Sequence, residues 1–264
     1  MLELNKPVHI EKIFLYLNIL MRKTQKIFLI PYMQYSLDKI TYINDVPKVV
    51  FICWFGQMDL EPEFTIRRYN ALVSLITNIK VPVIFLTRQN YKSFEKQDFP
   101  YHQAFQYLSG NHKSDYLRAY MLHHYGGGYH DIKFRESSWE NEWEKFKDPN
   151  VWMVGRREMK PDVIGHISVK EHYSKLATMG WIICKHNTPY TQELLNSINT
   201  ILDKHLSDLI LYPALKPRYP DEDANIKYPL RWLEIMGEIF HPIMFKYHQH
   251  IEYGLPDILY KTYK

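Results

Sequence analysis

The chain has 264 residues, 46% of them hydrophobic and 23% charged, which suits one large globular domain or a core with an extension. A net charge of +4 is too weak for a nucleic-acid binder and compatible with an anionic small molecule. Two cysteines, Cys53 and Cys184, rule against a disulfide framework, and no apolar run approaches the roughly 18 residues of a membrane span.

Residues 1–44 form a separate helical extension, with short helices expected over 10–21 and 26–35. Two readings stay open: a basic amphipathic surface that meets a membrane or a partner, or helices packed on the core. Glu3 and Glu11 interrupt any signal-peptide pattern, so the expected location is the cytoplasm, in solution or peripheral at a membrane. The remaining chain, 45–264, reads as one α/β domain. A buried strand is expected over 46–55, a helix over 64–79 and a second buried strand over 81–87. That alternation predicts a mostly parallel sheet flanked by helices, with ligands beyond the carboxyl ends of its strands. Further on come a surface helix over 137–148, a strand over 151–154, a long polar loop over 155–178 and a strand over 179–184. Thr188 caps a helix to about residue 209 with Pro189 at its first position. The stretch 211–228 reads as irregular and 228–250 as helical and His-rich.

The stretch from Ser114 to Phe134 carries the chemistry. Ser114 is read as an N-cap with Asp115 in the first turn, and the helix runs to Tyr125. Gly126, Gly127 and Gly128 turn the chain, and 129–134 reads as a strand. Asp115 and Arg118 share a helix face. Alternation puts Tyr129, Asp131 and Lys133 on one side of the strand and His130 and Ile132 on the other. Four charged groups therefore converge on one turn.

Asp115-Tyr-Leu-Arg118, followed by Tyr125-Gly-Gly-Gly-Tyr-His-Asp131-Ile-Lys133, resembles the SDxxR…YGGxYxDxD signature of DXD-type glycosyltransferases of the capsular-polysaccharide and mannosyltransferase kind. Large clostridial glucosylating toxins share that core. Pro47-Lys-Val-Val-Phe-Ile-Cys-Trp54-Phe55-Gly56 resembles the same family's opening strand. Together these cover roughly residues 46 to 135. The resemblance implies a GT-A, Rossmann-like fold. It also implies hexosyl or related transfer from a UDP- or GDP-sugar to a glycan or protein acceptor, with retention of configuration.

The implied donor site comprises Trp54, Phe55, Gly56, Asp115, Arg118, Gly127, Tyr129 and Asp131, with Trp54 against the base and Asp115 and Arg118 on the sugar hydroxyls. An indole face suits a flat base, and carboxylates accept from vicinal hydroxyls. Asp131, Lys133 and Arg118 are the catalytic candidates. Asp131 and His241 are the candidate ligands for Mn²⁺ or Mg²⁺, while Glu234 and Glu238 are candidates for a base or an acceptor contact. Lys133 departs from the signature, replacing its second Asp and putting metal dependence in question. An ammonium there would stabilise a departing diphosphate and repel a cation. The rival reading is a catalytically reduced fold that binds sugar nucleotide or glycan, or scaffolds a complex.

Overall fold

A computed structural model describes residues 40–56, 64–214 and 227–258. The two helices expected before residue 36 lie outside these residues. A small antiparallel pair, β1 (Tyr42–Ile43) and β2 (Val46–Pro47), leads into a six-stranded sheet. The sheet strands are β3 (Val50–Trp54), β4 (Val83–Thr87), β5 (Gly127–His130), β6 (Met153–Arg157), β7 (Ala177–Cys184) and β8 (Ile251–Tyr253). Their spatial order is β4-β3-β5-β7-β6-β8. Only β7 runs against the others, pairing antiparallel with both β5 and β6, so the sheet is mostly parallel, as expected.

Helices cover both faces. Phe51 and Cys53 of β3 share a core with α2 (Gly110–His124), α3 (Pro189–Leu211) and α4 (Gly237–Lys246). Val50 and Ile52 point the other way, into a core with Leu72, Leu75 and Ile79 of α1 (Ile66–Ile79). This is the alternation of a strand buried on both faces. Each such aliphatic side chain contributes about 1.5–3 kcal/mol by leaving water. Thr65 caps α1 by accepting from the Arg68 amide, and Thr188 forms a capping box with Thr191 on α3.

Several boundaries differ from those expected. Helix α2 starts at Gly110, with Ser109 as its cap, accepting from the His112 amide. Ser114 is inside the helix and donates to Gly110 O, so Asp115 lies one turn further in than expected. The earlier start is held by His112, which is fully buried against Tyr228, a partner invisible in local sequence. Strand β5 begins within the glycines and ends at His130, so Asp131 and Lys133 follow the strand and do not extend it. Gly126 and Gly127 have φ of 73° and 88°, a region costly for other residues. A Cβ at 127 would also come within 2.9 Å of Val49 O.

The segment 137–148 is no surface helix. It holds a 3-10 turn, Glu142–Lys147, and Trp139, Trp143 and Phe146 are fully buried under the α1 face. Its charged residues face out while the aromatics fill the core, which makes the stretch read as a surface. The expected polar loop over 155–178 begins as the end of β6 and contains two 3-10 segments, Pro161–Val163 and Ile167–Lys175. The expected helix over 228–250 is helical only from Gly237 to Lys246. After a 3-10 turn the chain enters β8, which pairs parallel with β6.

Candidate functional site

The carboxyl ends of β3, β4, β5 and β6 lie along one edge of the sheet, and the start of β7 joins them because that strand is reversed. The charged groups of the motif gather at this edge. Arg118 reaches out of α2 with its side chain 6% exposed. Its Nη2 lies 3.2 Å from Asp115 Oδ1 and 3.2 Å from Asp131 Oδ1, and donates to Tyr129 Oη, also at 3.2 Å. Its Nη1 donates to Met179 O at 2.9 Å, and its plane lies 4.2 Å from the Tyr129 ring centroid. Tyr129 in turn donates to Asp131 Oδ1 at 3.0 Å. Arg118, Asp115, Tyr129 and Asp131 are thus one hydrogen-bonded unit. Expected alternation holds here, because Tyr129 and Asp131 meet on the same side.

Electrostatics follow from burial. Burial alone would lower the Arg118 pKa, but Tyr129, Asp131 and Asp115 outweigh it and the guanidinium is held above its ordinary range. Asp115 is pushed up to about 6 by burial, with Arg118 opposing and Asp131 reinforcing. Asp131 is more open, its side chain 34% exposed. Its amide donates to Gly180 O, and a Cβ on residue 180 would meet Asp131 Oδ2 at 3.2 Å. Gly180 therefore leaves room for that carboxylate.

Behind Asp131 the chain is held by residues that sequence reading left out of the site. His130 lies on the opposite face of β5, stacked on Trp181, with its Nδ1 bonded to Asp131 O. Arg135 is fully buried and donates through Nε to His130 Nε2 at 2.9 Å. Neither had a usable signal, since both partners become neighbours only through the turn after β5. Glu158 was also missed. It follows β6, is buried, and is pushed up to about 7 by burial, with Arg156 and the Thr178 hydroxyl opposing.

Trp54 is half-buried at the end of β3, on the α1 face, across the sheet from Arg118. Phe64 meets its ring edge-on at 5.1 Å, and the Arg68 guanidinium lies 5.0 Å from its centroid. Phe55 is buried between Tyr91 and Phe105. Gly56 is the last residue described at that corner. Gly127 shapes the turn, and Lys133 is half-buried two residues beyond Asp131. His241 is fully buried in α4. Its Nδ1 accepts from the Gly165 amide at 3.4 Å, its Nε2 lies 4.0 Å from Glu158 Oε1, and burial pushes its pKa down to about 4.

Among the described residues no three His, Cys, Asp or Glu side chains converge as a metal site. Glu234 precedes α4 and binds His205 and Arg231, while Glu238 binds Arg231. Both sit in ion pairs with Arg231. No described helix is long and apolar enough to cross a membrane.

Residues 8–133, just under half of the chain, match the family model described as capsular polysaccharide synthesis protein. The match ends on the motif and includes Asp115, Arg118, Asp131 and Lys133; it also runs across the boundary drawn at residue 44. Two solved structures are similar at a distance. PaToxG glycosyltransferase is 12% identical over 76% of this chain and 68% of its own, with a TM-score of 0.41. Mouse xyloside xylosyltransferase 1, in its apo form, is 12% identical over 78% of this chain and 84% of its own, with a TM-score of 0.39. No curated protein matches the chain.

Proposed function

We propose that the chain is a GT-A-type glycosyltransferase that moves a sugar from a nucleoside diphosphate sugar to an acceptor hydroxyl. The observation that carries this reading is the Arg118 unit at the sheet's carboxyl edge, where one buried guanidinium fixes Asp115, Tyr129 and Asp131. A buried cation with two carboxylates and a phenol has little reason to exist as a structural strut. Burying it is costly, and an apolar replacement is often at least as stable. As a ligand site it makes sense. The carboxylates accept from sugar hydroxyls, and the guanidinium orients Asp131.

In this reading Asp131 holds the donor sugar, with Asp115 and Arg118 behind it. The base lies at the Trp54–Gly56 corner, at the end of the neighbouring strand β3. Lys133 serves the diphosphate, stabilising the charge that develops as the glycosidic bond breaks. The leaving group takes the acceptor's proton on the same face, which gives retention. UDP- and GDP-hexoses are the donors assigned, and glycan or protein hydroxyls the acceptors. The described residues do not form a metal cage of their own, and Lys133 weakens the attraction for a cation.

The test is release of nucleoside diphosphate from a panel of UDP- and GDP-sugars, with and without Mn²⁺, together with a thermal-shift screen of the same donors. A donor that stabilises the fold and is turned over supports the enzyme. A donor that binds and is never turned over, with any acceptor glycan, moves the conclusion to the sugar-nucleotide-binding module. No shift with any donor sinks both.

A further inference from the structure

Arg135 is a buried cation with no carboxylate within ion-pair distance among the described residues, and Asp257 acts on it only from further off; that calls for a reason. Its exposure is 0%. Its three nitrogens go to neutral acceptors: Nε to His130 Nε2 at 2.9 Å, Nη1 to Ser137 Oγ at 3.2 Å and Nη2 to Pro256 O at 3.1 Å. Its backbone is pinned as well. Ser74 Oγ and Asn78 Nδ2, both on α1, donate to Arg135 O at 2.7 Å each. The guanidinium also lies 4.9 Å from the Trp139 ring centroid. So residue 135 ties the turn after β5 to α1 and to the chain beyond β8.

The contact to His130 determines something more specific. Arginine can only donate, so His130 Nε2 accepts and carries no proton. The ring proton must then sit on Nδ1, which donates to Asp131 O. Stacking on Trp181 at 5.8 Å, with an angle of 22°, holds the plane of the ring. Asp131 is thus clamped from both sides. Its carbonyl is held by His130 across the sheet, its amide donates to Gly180 O, and its carboxylate is held by Arg118 and Tyr129.

We propose that Arg135 is a positioning residue for Asp131: by fixing the tautomer of His130 it sets the backbone at Asp131 and so aims the carboxylate at the donor. This rests on the reading of Asp131 as a donor-binding residue. Two alternatives to the arginine fail on geometry. A lysine has no Nε–H fork to reach His130 and Pro256 together. A neutral apolar residue leaves His130 Nε2 and Pro256 O without their donor.

The test uses the full chain with UDP-glucose and GDP-mannose as probes. Arg135→Lys and His130→Phe are compared with wild type and with Asp131→Asn. His130→Phe keeps the stacking and loses both ring nitrogens, so it serves if the buried Arg135 change impairs folding. The expected result is a dissociation constant raised about tenfold in both variants, equivalent to roughly 1.4 kcal/mol. A double-mutant cycle of Arg135→Lys with Asp131→Asn should show strong coupling, since both act on one group. Nitrogen-15 spectra of the histidines should show one ring protonated at Nδ1 in wild type and a share of the other tautomer in Arg135→Gln, whose amide oxygen can accept from Nε2–H. Wild-type donor affinity in both variants, or additive effects in the cycle, overturns the inference. If Asp131→Asn alone binds donor as well as wild type, the reading of the site fails instead.

Discussion

Asp115 and Asp131, on a helix and just beyond a strand, each place a carboxylate oxygen 3.2 Å from the same nitrogen, Arg118 Nη2. One guanidinium therefore joins α2 to the end of β5. Two carboxylates near one cation repel each other, and only the Arg charge makes their approach tolerable. The same arrangement makes each member's loss predictable.

Asp131→Asn should lower transfer by about a hundred- to a thousandfold, the range for losing one group that stabilises the transition state. The unfolding midpoint should stay close to that of wild type, because the side chain is a third exposed. Turnover measured as nucleoside diphosphate release, beside a thermal melt, checks both halves. Activity within a few-fold of wild type would place the site elsewhere.

Arg118→Met should destabilise the fold by about 3 kcal/mol, the lower part of the range for breaking a buried pair from one side. The lower part applies because Asp131 can rehydrate, whereas Asp115, with its side chain 18% exposed, cannot. Urea unfolding measures it. Arg118→Lys should recover part of that stability and little of the donor affinity, since an ammonium cannot reach both carboxylates and Met179 O in the same geometry.

Asp115 makes stability depend on pH in a defined direction. Its pKa is raised from 3.8 to about 6 in the folded protein. Between those values the folded state holds a proton that the unfolded chain has lost, so the contribution of Asp115 to stability falls as pH rises from about 4 to about 6 and is flat above. The drop is about 3 kcal/mol. In Asp115→Asn most of this slope should vanish. A residual slope of the same sign should remain from Glu158, pushed up to about 7. Denaturant titrations at pH 4.5 and 7.5 compare the two proteins. Equal pH dependence in both would show that Asp115 ionises normally.

Lys133→Ala should lower the turnover number by roughly ten- to a thousandfold if its ammonium meets the diphosphate. Lys133→Asp should raise affinity for Mn²⁺, because a second carboxylate then stands near Asp131. Calorimetry with Mn²⁺ and no donor checks this. Tight binding by wild type, combined with full activity of Lys133→Ala, would give the diphosphate to another group.

The sequence by itself determined much of this protein. Periodicity and caps placed α1, α3 and the buried strands, because a strand covered on both faces writes a continuous apolar run and a helix writes its cap locally. The glycines at 126 and 127 announced a turn that other residues cannot make, and Asp115, Arg118 and Asp131 were recognisable as partners by spacing and by resemblance. Local patterns could not show where α2 begins, since Ser109 and Ser114 both make good caps. The contact of His112 with Tyr228, over a hundred positions away, accompanies the earlier start. Nor could they show that Trp139 and Trp143 are core, that β8 closes the sheet, or that His130 and Arg135 brace Asp131. That His241 lies beside Glu158 was hidden for the same reason. Those facts belong to tertiary structure: a side chain's partners depend on which distant segments the sheet order brings together, and no local pattern encodes that order.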